Sequence, residues 1–157
     1  MKVSSTPEHG LRIDAAGPAD WEVLRCIARD AGGRPHDLAA RLGALVDDPQ
    51  HPGDWEEFVV PELRATFDGQ LETIAAAVEK AARRCHGQAG PLHIAREQGE
   101  AWYGALNQAR LALEEKHRFG PHPDPDPADA ARRAALFRAQ LYLALQAALL
   151  EWVIPRP

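Results

Sequence analysis

The stretch 95–119 constrains this chain most, because it carries three separate stripes at helical spacing. Trp102, Leu106, Ala109 and Leu113 recur every three or four residues and make one apolar stripe. Ala101, Ala105 and Ala112 lie beside it and are small enough for another helix to approach closely. Tyr103, Asn107, Arg110 and Glu114 form a third, polar stripe. The segment therefore predicts a central helix with neighbours on more than one side.

The rest of the chain agrees. Good helix formers (Ala, Leu, Arg, Glu) dominate, while Ile, Val, Thr and Tyr are scarce. A chain of 157 residues suits one domain. It buries roughly 70% of its unfolded surface, so it needs no disulfide or metal staple. The expected fold is an all-α, single-domain helical bundle of about five to six helices. Residues 1–10 form a flexible N-terminus, and the helical domain spans 11–154 with a proline-rich connector at 120–127.

Local signals place the other helices. Leu11–Asp14 alternates and predicts a short extended segment. Gly17-Pro18 starts a first helix, since proline's missing N–H has no partner at that position anyway. Trp21, Leu24, Ile27 and Ala28 form its buried stripe, and Gly32-Gly33 ends it with a positive φ. Pro35 starts a second helix with Leu38, Leu42, Leu45 and Val46 inward. Asp54 and Glu57 resemble a capping box for a short helix that turns Trp55, Phe58 and Val59 inward. Pro61 predicts a break at Val60, then a long helix to about Arg84. Leu63, Phe67, Leu71, Ile74 and Val78 are its stripe. Residues 87–91 read as a loop. Gly99 and Gly104 each cost a helix interior roughly 1 kcal/mol, which implies close backbone contact there. Asp126 is the expected cap of the last helix, with Pro127 at its first position and its end near Val153. Leu136, Phe137, Leu141, Leu145, Leu149 and Trp152 form one face, and Leu143, Leu150 and Val153 widen it. A helix apolar so far round is central in a core or also used in an interface.

Composition excludes several functions. A net charge of −5 argues against a general nucleic-acid binder, which needs a basic face. The pairs Arg83-Arg84 and Arg132-Arg133 read as solvated helix surface. No apolar run reaches membrane-spanning length. Cys26 and Cys85, without a CxxC motif or signal peptide, predict a reduced, cytoplasmic protein. His86 and His93, with Cys85, lack the tight repeated spacing of a zinc site, so no metal and no cofactor are expected. Nor is there a GxSxG elbow, a phosphate loop or a dinucleotide fingerprint.

Trp102, Ala105-Leu106-Asn107 and Ala109-Arg110-Leu111-Ala112-Leu113 resemble the signature of an uncharacterised bacterial family, a domain of unknown function known best from actinobacteria. The segment 141–146 resembles that family's final helix. Where members often end the signature helix in a Leu-Gly-Thr-Arg-like sequence, Glu114-Glu115-Lys116-His117 stands here. The resemblance implies a gene often found beside the adaptor of the Clp protease, and some members are labelled transcriptional regulators. The acidic charge and the missing helix-turn-helix pattern argue against direct DNA reading.

Two hypotheses follow. The first is a non-enzymatic cytoplasmic interaction or regulatory protein, linked to Clp-type proteolysis by the resemblance. It would contact a protein partner or form a homodimer through the last helix. Trp152, Leu143, Leu150 and Trp55 are the interface candidates. The second is a small-molecule or anion binder, or an unrecognised enzyme, built on Asn107 and Arg110 with Tyr103 and Glu114. A guanidinium near an apolar face needs partners. Those partners are either an internal carboxylate or a bound anion.

Overall fold

A computed structural model describes residues 1–32, 38–44, 53, 55–120 and 129–154. The described elements run β1 (Lys2–Ser5), β2 (Leu11–Ala15), α1 (Pro18–Ala31), α2 (Leu38–Ala44), a π-helical turn (Trp55–Val59), α3 (Val60–Arg84), β3 (Gly90–Ile94), a 3₁₀ turn (Arg96–Gln98), α4 (Gly99–His117) and α5 (Ala130–Trp152).

The chain is mostly helical, but it is not all-α. The three strands form one antiparallel sheet in the order β1-β2-β3. Alternation explains β2: Leu11, Ile13 and Ala15 are buried under the helices, while Arg12 and Asp14 turn outward. β3 does the same with Leu92 and Ile94 inward and His93 outward. The sequence hid β3 because it opens with Gly90-Pro91, which reads as a loop. Proline is tolerated there because β3 is an edge strand. Lys2–Ser5, expected to fray, pairs instead with β2.

Around this sheet the helices follow local rules. Proline opens α1, and the Asp20 carboxylate reaches back to accept from the Ala16 N–H at 2.7 Å. That hydrogen bond holds the Asp20 pKa below the usual carboxylate range. α1 closes at Gly32 with φ −79°, so the positive φ expected there is absent from that residue. No non-helical residue stands at the break expected at Val60: the π-helical turn runs directly into α3, and Pro61 is accommodated in the first turn of that helix, where its missing N–H costs nothing. Phe58 points outward rather than inward and is 63% exposed. Of the second helix, Leu38 is half-buried and Leu42 exposed. Pro35, Leu45, Val46, Asp54 and the connector beyond Gly120 lie outside the described residues.

α4 is central, packing against α1, α3 and α5. Trp102, Leu106, Ala109 and Leu113 are all buried, as are Ala105 and Ala112 of the small-residue stripe. The two glycines mark close approaches. A Cβ on Gly99 would stand 2.7 Å from a Val153 methyl, and one on Gly104 would stand 2.3 Å from the Gln70 amide. α4 and α5 are antiparallel, since the end of α5 meets the start of α4. At the opposite end, Arg132 donates to the His117 carbonyl at 2.7 Å and lies over the Phe119 ring. Arg132 is thus a helix-end tie, not the solvated surface residue its sequence suggested. Asp129 caps α5 by accepting from the Ala131 N–H at 2.9 Å. The expected cap, Asp126, lies outside the described residues.

Candidate functional site

Asn107 and Arg110 stand one turn apart on α4, and the guanidinium Nη2 donates to the Asn107 Oδ1 at 3.1 Å. Arg110 Nε is buried without a hydrogen-bond partner. The carboxylate expected to neutralise this group is not the partner found; a neutral amide is. The other two members of the polar stripe have different work. Glu114 is exposed and accepts from the Gly120 N–H at 3.1 Å, closing the turn in which Arg118 adopts φ 47°. Tyr103 packs half-buried on the core, and its carbonyl receives a long bond from Gln146 at 3.5 Å. The four residues share a stripe without forming one cluster.

Buried polar groups that sequence reasoning missed lie on neighbouring seams. Gln108 joins α4 to α3 by donating to the Gln70 Oε1 at 2.8 Å. A second network joins α1 to α5. Arg138 grips Asp30 with two bonds, Nε to Oδ2 at 2.7 Å and Nη2 to Oδ1 at 3.1 Å, and the Tyr142 hydroxyl donates to the same carboxylate at 2.8 Å. Burial, then the Asp30 charge, pushes the Tyr142 hydroxyl far above its ordinary pKa, so it stays a donor. The hydrogen bond to Asp30 likewise raises Arg138. The four-residue spacing of Arg138 and Tyr142 was the only local sign of this network. Asp30 lies 108 residues away from Arg138.

The outer face of the sheet bounds an open groove of about 710 Å³ between the β1–β2 turn and the 3₁₀ turn. Arg12 and His93 face each other across β2 and β3, but Arg12 is already paired with Asp14 at 2.7 Å. The groove is therefore a polar surface whose central cation is spoken for.

The outer face of α5 differs in kind. Phe137, Leu143 and Leu150 are 57%, 56% and 45% exposed. Exposed alanines at 144 and 147 lie between them. Two of the four interface candidates, Leu143 and Leu150, thus reach solvent. Trp152 is half-buried against the core, and Trp55 is half-buried with its indole N–H shielded and unpartnered. Phe137, assigned to the core face, is instead the most exposed large apolar residue of α5, and Tyr142 takes the buried place. Among the described residues no three His, Cys, Asp or Glu side chains gather as a metal site, and no described helix is long and apolar enough to cross a membrane. Both cysteines are free and half-buried.

Fold and surface together define a small helical protein built on a three-stranded sheet, with large apolar side chains of one helix open to solvent. The chain belongs to the family described as domain of unknown function DUF2017, whose model matches residues 8–153. Neither the curated proteins nor the solved structures include a match.

Proposed function

We propose that this protein is a non-enzymatic, cytoplasmic interaction or regulatory protein whose contact surface is the outer face of α5. The observation that carries this reading is the exposure of Phe137, Leu143 and Leu150 on one helix. Isolated exposed apolar residues are ordinary, but three on the solvent side of one helix, two of them seven apart on one stripe, favour a protein contact. The gene neighbourhood implied by the resemblance, beside the Clp adaptor, supplies the partner class to test first. Binding of the purified chain to Clp adaptor and protease components is expected by calorimetry. Phe137→Asp and Leu143→Asp should each weaken it by roughly tenfold or more, because apolar anchors at interface centres carry most of the affinity. Both positions are solvent-facing, so folding should be retained. If the native chain shows no heat of binding to any of these components, the Clp connection is lost.

A second reading, favoured by the unpartnered Arg110 Nε, is an anion site at Arg110 and Asn107. Arg110→Met separates it from a structural role. A purely structural guanidinium with an unmet donor predicts a neutral or slightly stabilised variant, within about 1 kcal/mol. An anion site predicts that inorganic phosphate raises the melting temperature of the native chain but not of the variant. No phosphate response in either protein would remove this reading.

A further inference from the structure

We infer that the turn after α4 is an acid-sensitive clasp: a neutral His117 ring keeps Arg118, Phe119 and Gly120 closed against the start of α5, and protonation of that ring releases them. The inference stands apart from the reading of α5 as a contact surface.

The clasp has few parts. α4 ends at Arg118, a non-glycine residue held in the left-handed region at φ 47°. A side chain disfavours that backbone, so neighbouring groups must hold it there. The Arg118 N–H donates to the Glu114 carbonyl at 2.7 Å, and the Gly120 N–H donates to the Glu114 carboxylate at 3.1 Å. From α5, Arg132 donates to the His117 carbonyl at 2.7 Å and to the Arg118 carbonyl at 3.4 Å. The turn so formed folds Phe119 into the core, where it is 7% exposed. The His117 imidazole stacks on the Phe119 ring, with centroids 5.5 Å apart and planes 11° from parallel.

Charge decides which form of the imidazole fits. Lys116 on α4, and Arg132 and Arg138 on α5, act on His117 as cations, and Asp129 at the head of α5 opposes them. Asp129 is already the cap of α5, Glu114 is engaged by Gly120, and Asp30 is engaged by Arg138. The Phe119 ring could attract an imidazolium, but the Arg132 guanidinium already lies 5.5 Å from its centroid. A second cation would meet its like there. Burial, and then these cations, hold His117 below the usual histidine range. The folded protein therefore takes up this proton less readily than the unfolded chain. The clasp has its full stability above about pH 6.5 and loses it as the pH falls from there through the folded-state value.

Hydrogen exchange at the Arg118 and Gly120 amides, corrected for the intrinsic pH dependence of exchange, tests the clasp between about pH 7.5 and about pH 5.5. Their protection in the native chain is expected to fall by roughly threefold or more over that range. His117→Gln cannot gain the charge and should keep its protection. Lys116→Gln, at an exposed position, removes one cation and should move the His117 titration, followed by the NMR signals of its ring protons, to higher pH. That measurement decides even if His117→Gln disturbs the turn at every pH. An equal fall in the native chain and in a folded His117→Gln variant, or a His117 midpoint at or above that of a free histidine, would overturn the inference.

Discussion

Asp30→Ala is expected to lower the unfolding free energy by about 2–4 kcal/mol in urea denaturation at neutral pH. The carboxylate accepts three bonds, two from Arg138 and one from Tyr142. Removing it strands a mostly buried guanidinium and a wholly buried hydroxyl at once. Most of the loss is that stranding, not the net worth of the pair. Exposure of about a fifth of Arg138 lets water reclaim part of its charge, which keeps the figure below the full burial penalty. The control follows from the same physics. Asp30→Leu combined with Arg138→Met removes both charges and should recover most of the stability. Equal losses in the single and double variants would mean that the contact contributes through packing alone.

Trp102→Ala should cost about 3–5 kcal/mol, a large part of the stability of a domain this size. Trp102 is fully enclosed on the central helix, so truncation opens a cavity that neighbours on three sides cannot all collapse into. Trp102→Phe should cost less than roughly half of that, because it keeps much of the ring volume and removes an indole N–H that has no acceptor. Thermal unfolding monitored by far-ultraviolet dichroism measures both. A near-neutral Trp102→Ala would show that α4 is not the centre of the fold.

The candidate surface was partly legible in advance. Leu143 and Leu150 were readable as extra apolar positions beyond one stripe, and both are exposed. Phe137 was not, because Leu136 and Phe137 are adjacent and either could have faced inward. The Arg110–Asn107 contact follows directly from their spacing of three on a helix. What could not be foreseen was that, among the described residues, no carboxylate reaches that guanidinium's Nε from another helix. β3 escaped for a different reason: His93 between Leu92 and Ile94 alternates correctly, but three residues after a Gly-Pro pair carry little weight until a partner strand is known.

Periodicity and capping chemistry alone determined which segments are helical and which arc of α4 is buried, because those depend on residues within a turn of one another. The sequence also marked the proline start of α1, since proline's lost N–H acts locally. Only the tertiary structure decided that Lys2–Ser5 and Gly90–Ile94 become strands, for each needs β2 beside it to satisfy its backbone. It alone decided which side of α5 faces solvent and that Asp30 meets Arg138. A helix apolar through most of its circumference does not specify its own inward face, and a buried charge finds its partner by proximity in space rather than along the chain.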